Sequence, residues 1–366
     1  MVNPKTELLT NRGLAPNLNI CDEDVIQNDS ANFKAALIAN VANGQAMLPM
    51  HPGFEVHPYK GILRGGESKK VMIGTFPPIS YLIDELNRTN PGLGLLDLLQ
   101  PTPPHQRISR PGIPFFHGNV GSLWRVFLSP QELAVLDGFM PGNRQCAKAY
   151  LISVLNELGI HYDDIIKSTQ RALGRILPIN NLGYTYRDKD LKNICIDHDL
   201  NVETITNRRL EAVCFTNGAT FGKKGLEFHR QGNLAGLVQT TMNDAFSLFL
   251  RGCQDLGLEI EMQCLPHFQW TPLGALNQTQ KRTKWIFQLK VLRGRDSMKN
   301  GLEGFRQAEF TVITPFSPAA HGKIEHNPII SSFRKAHGHL PLESILRYVY
   351  KAFRNSNYDL LYPFNN

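Results

Sequence analysis

The sequence predicts an α/β fold, a mainly parallel sheet carrying helices on both faces. Three observations lead there. Val71-Met72-Ile73 is a continuous apolar run closed by Gly74, the pattern of a strand buried on both sides. From Lys70 onward, runs of this kind alternate with helical patterns, as an α/β sheet requires. The chain of 366 residues is 42% hydrophobic and 19% charged, long enough to bury a large core.

The elements follow in order. Residues 1–70 hold one expected helix near Ala31–Asn40 beside a loop-like stretch rich in Gly, His and Pro. Val71–Thr75 is the first strand. Gly74 lets the backbone turn without a Cβ clash, and Pro77 and Pro78 stiffen the loop beyond. That loop is either a rigid pocket floor at a strand's carboxyl end or an ordinary strand-to-turn junction. A helix begins at Pro130, with Ser129 as N-cap and proline at the first position. Ala147–Leu158 continues helically, with Leu151, Val154, Leu155 and Leu158 on one face and Gly159 as terminator. Ile176–Leu182 and Ala212–Thr216 are the second and third strands. A helix follows around Thr240–Leu256, then a strand at Trp285–Leu292. Phe310–Thr314 is the fourth strand of the alternating series, stopped by Pro315, and Pro341–Phe353 is a closing helix.

Two stretches read as insertions. Residues 79–114 are turn-rich, with Pro101, Pro103, Pro104, Pro111 and Pro114. Residues 226–309 carry Gln278-Thr279-Gln280-Lys281-Arg282-Thr283-Lys284-Trp285. There Lys281, Arg282 and Lys284 suit a phosphate backbone and Trp285 a base, unless the run is simply a solvated face.

Charge and cysteine usage bound the chemistry. A net charge of +7 and a pI near 9.0 suit a polyanionic partner without demanding one. The six cysteines form no Cys-x-x-Cys pair, so neither a zinc knuckle nor an iron–sulfur cluster is signalled. Their scatter fits a reducing compartment. No signal-peptide pattern opens the sequence and no run of about 18 apolar residues occurs. A cytoplasmic protein without a membrane span is the expectation.

Five segments fall in a telling order: Val71–Pro78, Pro114–Trp124 (PFFHGNVGSLW), Ile176–Leu182 (ILPINNL), Ala212–Thr220 (AVCFTNGAT) and Ile313–Ala320 (ITPFSPAA). Over about residues 71–335 this resembles the uracil-DNA glycosylase superfamily, nearest its mismatch-specific thymine/uracil branch and related glycosylase-like proteins. The resemblance implies a three-layer α/β/α sandwich with a mainly parallel central sheet. It would comprise an N-terminal extension (1–70), a glycosylase-like domain (71–354) with its two insertions, and a tail (355–366). It also implies that a flipped base is excised by cleavage of the N-glycosidic bond, with no metal and no cofactor, by a monomer acting on duplex or single-stranded DNA.

On that resemblance, Gly74, Thr75, Phe76, Pro77 and Pro78 floor the base pocket. Phe115 or Phe116 stacks on the base, Trp124 packs behind, and His117 and Asn217 lie nearby; core packing is the competing reading for the two phenylalanines. Asn180 matches the amide that reads the base edge, since an amide offers both a donor and an acceptor. Asn180-Asn181 also reads as a plain turn. Thr314, Phe316 and Ser317 belong to the loop that presses on the DNA, where an apolar wedge can hold the gap open.

The departures carry as much information. Phe76 stands where better-known branches carry an Asp or Asn that positions water. The candidates to replace that group are Asn180, Asp188, Asp190 and His321, although Asp188 and Asp190 also suit turn or capping chemistry. Pro78 stands where strict uracil enzymes place a tyrosine gate against 5-substituents, and Thr314 stands where they place a histidine. The expectation is a monofunctional DNA glycosylase for a damaged, mismatched or modified pyrimidine. One variant would remove bulky 5-modified cytosines from phage DNA in defence. The alternatives are a DNA-binding relative without turnover and a metal-dependent hydrolase built on Asp197-His198-Asp199.

Overall fold

The structure, a computed structural model, describes residues 55–63, 68–77, 81, 114–140, 142–171, 191–216, 244–263, 286–294, 302–315 and 341–358. Its strands are β1 Glu55–Val56, β2 Lys70–Gly74, β3 Pro114–Phe115, β4 Gly118–Asn119, β5 Ile160–Asp164 and β6 Ile166–Arg171. After them come β7 Leu191–Ile196, β8 Ala212–Phe215, β9 Glu259–Gln263, β10 Ile286–Leu292 and β11 Gln307–Ile313. The helices are α1 Arg125–Phe127, α2 Pro130–Phe139, α3 Arg144–Glu157, α4 His198–Thr206, α5 Ala245–Asp255 and α6 Leu342–Arg354, with a π-helical turn at Val120–Trp124 before α1. None of these helices is long and apolar enough to cross a membrane.

The described residues divide between two compact units. One is drawn from Met1–Leu63, Phe76–Leu158 and Ile166–Cys195, the other from Arg64–Thr75, Gly159–Ile165 and Ile196–Asn366.

In the first unit, α2 starts at a full capping box: Ser129 Oγ accepts from the Glu132 N–H, and Glu132 Oε2 accepts from the Ser129 N–H at 2.8 Å. Asn143 caps α3 by accepting from the Cys146 N–H. The sequence expects one apolar face on α3. Instead every residue from Ala147 to Leu155 is buried, Lys148 included. A helix surrounded on all sides no longer shows a stripe, because polar positions are covered together with their stems. The short sheet β1-β6-β7 and the hairpin β3-β4 complete this unit.

The second unit is built on a six-stranded sheet in the order β5-β2-β8-β11-β10-β9. β2 runs parallel to both β5 and β8, and β11 runs parallel to β8, while β10 pairs antiparallel with β11 and β9. The register sets Ile73 beside Phe215 and Met72 beside Cys214, so each pair shares a face of the sheet. Phe215 packs edge-on against Phe246 and Phe249 of α5, with centroids 5.0 and 5.3 Å away. On the opposite face, Lys70 reaches α6, where Nζ donates to the Arg354 carbonyl at 2.5 Å and lies over the Phe353 ring. Helices therefore cover both faces, as the apolar strand runs require.

The expected strands at 71–75, 212–216, 285–292 and 310–314 all form, within a residue or three at their ends. Ile176–Leu182 and the helix near Ala31–Asn40 lie outside the described residues. Among the described residues the second parallel strand is β5, Ile160-His161-Tyr162-Asp163-Asp164, which apolar periodicity does not reveal. All five of its residues are buried although three are polar, because partners rather than apolar character cover them. The described part of 226–309 is integral to this sheet: α5 covers β8, and β9 and β10 extend it by two antiparallel strands.

Candidate functional site at the carboxyl ends of the parallel strands

Taken in chain order, the four parallel strands lie second, first, third, fourth across the sheet. β2 connects toward one edge and β8 toward the other, so the order reverses between them. Such a switch point opens a crevice at the carboxyl ends of the two strands, where open α/β sheets hold ligands. Gly74 ends β2 at this point, and Thr216 follows β8, its N–H donating to the Ile73 carbonyl at 2.9 Å.

The neighbouring strand supplies the charge. β5 pairs Asp164 with Gly74, and the Ile165 N–H donates to the Gly74 carbonyl at 2.9 Å. Asp164 Oδ1 fills the space that a side chain on Gly74 would enter; a Cβ there would collide with it and come within 3.2 Å of the Tyr162 hydroxyl. Glycine is thus required here by close approach. Asp164 is 2% exposed and Asp163 fully buried, the latter turning Oδ1 to accept from the Asp164 N–H at 2.8 Å.

Tyr162 shares the face of Asp164. Burial, and after it the Asp164 charge and Tyr350, hold its phenol well above the ordinary tyrosine range, against a hydrogen bond with Thr216. Thr216 Oγ1 donates over a long 3.5 Å to the Ile73 carbonyl, and the Thr216 side chain also hydrogen-bonds with the Tyr162 hydroxyl. Burial likewise raises the Cys214 thiol and the Tyr350 phenol. The carboxyl ends of these strands therefore bring together the Asp164 carboxylate and the neutral Tyr162 phenol, with the Cys214 thiol and the Tyr350 phenol, also neutral, acting on Tyr162. Such a set can attract developing positive charge or accept a proton from water, and it contains no activated thiolate.

No family model, curated protein or solved structure matches this chain.

The first unit gathers the other expected residues into an aromatic cluster. Phe76, two residues past Gly74 in sequence, sets its ring edge-on to His57 with centroids 5.4 Å apart. His57 Nδ1 accepts from the Tyr59 N–H, which fixes it as the unprotonated nitrogen. His117 stacks on His57 at 5.2 Å and adopts φ 53°, a left-handed conformation uncommon outside glycine, at the turn of the β3-β4 hairpin. The Tyr59 ring meets Phe116 and His117, lies under Lys148 Nζ at 5.1 Å, and its hydroxyl donates to Tyr81.

Phe115 and Phe116 are 2% and 0% exposed. Phe116 is wedged against Tyr59 and His117, and its carbonyl accepts from the Trp124 indole N–H at 2.9 Å; Phe115 lies under the Arg144 guanidinium. Packing, the competing reading from sequence, describes both rings, and neither offers an open face for stacking. Gly74 and Thr75 lie at the carboxyl end of β2, Phe76 and Pro77 just after it in the chain, and Thr314 directly follows the fourth parallel strand, fully buried. Pro78, Asn180, Asp188, Asp190, Asn217, Lys281, Arg282, Lys284, Phe316, Ser317 and His321 lie outside the described residues.

Asp197-His198-Asp199 is accounted for by helix chemistry. Asp197 caps α4 by accepting from the Leu200 N–H, and His198 pairs with Asp255 at 3.3 Å on an exposed surface. The residues missed from sequence are Asp164 and Tyr162. Their one local signal is a glycine-terminated helix followed directly by alternating Ile160 and Tyr162 with two carboxylates, ahead of Ile165-Ile166.

Proposed function

We propose that the protein excises a pyrimidine base from DNA by hydrolysing its N-glycosidic bond, with Asp164 as the acidic group of the site. The single observation that carries the reading is the Asp164 carboxylate against Gly74 at the switch point. The resemblance supplies the reaction class but leaves Phe76 where an acid is needed. Asp164 offers that acid from the adjacent strand, at the loop the resemblance singles out.

The chemistry follows from the charge. As the bond between C1′ and the base nitrogen breaks, its electron pair leaves with the base and the sugar gains oxocarbenium character. A carboxylate held where water is scarce stabilises that cation far better than it would in bulk solvent. Water then adds its oxygen to C1′, and its proton passes to the carboxylate or onward to solvent, while the departing base anion takes up a proton. The products are an abasic site and the free base.

The test is incubation of the protein with duplexes and single strands carrying uracil, G·T mismatches or bulky 5-modified cytosines, followed by alkaline cleavage. Strand breaks that disappear in Asp164→Asn support the reading. Salt-sensitive DNA binding with no breaks on any substrate sinks it in favour of a relative that binds without turnover.

A further inference from the structure

We infer that Tyr162 is a positioning residue for Asp164: its hydroxyl, tied to Thr216 across β2, walls the notch over Gly74 and confines the carboxylate there. The catalytic consequence rests on the excision reading above; the confinement itself rests on the geometry around Gly74.

Strand register builds the arrangement. Met72 pairs with Tyr162 on one side and Cys214 on the other, and Gly74 pairs with Asp164, so Tyr162, Asp164 and Cys214 share one face of the sheet. On that face the place of a Gly74 side chain is taken by Asp164 Oδ1, and the Tyr162 hydroxyl lies 3.2 Å from the same point. The Tyr162 ring starts on β5, yet its hydroxyl bonds to Thr216, which follows β8, so the side chain spans the intervening β2. Both ends of the span are fixed. Tyr162 is 1% exposed, and the Thr216 N–H holds the Ile73 carbonyl at 2.9 Å. A carboxylate turns about two single bonds, and its value to a reaction depends on its keeping one position. The span gives Asp164 a rigid neighbour on the Tyr162 side. That neighbour is neutral, because burial and then the Asp164 charge keep the phenol protonated, so it adds no charge to compete with the carboxylate.

Tyr162→Phe keeps the ring and removes the hydroxyl, while Thr216→Val and Thr216→Ser remove and keep its far anchor. Excision kinetics are measured for each, together with the carboxyl carbon resonance of Asp164 in protein labelled at aspartate, assigned by its loss in Asp164→Asn. Tyr162→Phe is expected to lower kcat by up to about 10²-fold, the cost of a small misplacement, with KM little changed, and to move the Asp164 resonance. Thr216→Val should change both in the same direction, and Thr216→Ser should restore both. In an Asp164→Asn background, adding Tyr162→Phe should cost nothing further, because the phenol acts through the carboxylate. The Thr216 pair leaves the tyrosine ring untouched and decides the question if Tyr162→Phe does not fold. An Asp164 resonance unmoved by Tyr162→Phe and Thr216→Val, or an equal loss of excision with and without the Asp164 charge, overturns the positioning role and leaves the glycosylase reading standing. Wild-type protein that excises nothing removes that reading, and the Asp164 resonance alone then decides whether Tyr162 confines the carboxylate.

Discussion

The carboxylate of Asp164 occupies the volume in which a side chain on Gly74 would begin. Two residues far apart in sequence thus share one space, and the glycine of the first strand is explained by the acid of its neighbour. Gly74→Ala is expected to drive the carboxylate toward the Tyr162 side, destabilising the fold by about 1–3 kcal/mol, as overpacking does. Urea unfolding would measure it. Adding Asp164→Ala should recover part of the loss, because the two residues are coupled; strict additivity would refute the shared-space account.

Asp164→Asn keeps the shape and removes the charge. Excision should drop by about 10²–10⁴-fold, the range for loss of a positioned acid–base group, with the fold intact by circular dichroism. A variant as active as wild type would transfer the acidic role to another residue.

Lys70 predicts a pH dependence with a definite sign. Burial, partly countered by Glu211, lowers its ammonium below the ordinary 10.5. The folded state therefore releases this proton at lower pH than the unfolded state does. Between the lowered value and 10.5 the unfolded chain holds more protons, so this group's contribution to stability rises with pH across that window. Wild type should gain on Lys70→Met as pH climbs toward 10.5, in denaturant midpoints measured from pH 7 upward. Near neutral pH, loss of the bond to the Arg354 carbonyl at the end of α6 should cost about 0.5–1.5 kcal/mol, offset in part by relief of the buried charge.

A second glycine tests the helix layer. A Cβ on Gly252 of α5 would strike the Asn201 amide of α4, whose Nδ2 donates to the Phe249 carbonyl at 2.9 Å and to Cys253 Sγ at 3.4 Å. Gly252→Ala should lower stability by about 1–3 kcal/mol despite the better helix propensity of alanine. Thermal unfolding that shows a gain would mean the two helices part without cost.

The sequence by itself determined what local chemistry can fix. Pro130 after Ser129, Gly159 after α3, and the apolar runs of β2, β8 and β11 each carry their own start or stop signal, and those elements formed where expected. It also marked Gly74 as the end of a strand and Phe76 as a residue unable to serve as the acid. Only the tertiary structure placed the Asp164 carboxylate against Gly74. β5 is invisible to periodicity because three of its five residues are polar, and Asp164 reaches Gly74 through a parallel register between strands joined by a long connection. Burial of Phe115, Phe116 and Lys148 is equally beyond local reading, since the same aromatic or cation can line a pocket or fill a core. Spacing along the chain specifies turns and faces; which side chain fills the gap left by a glycine is set by strand pairing, a property of the whole sheet.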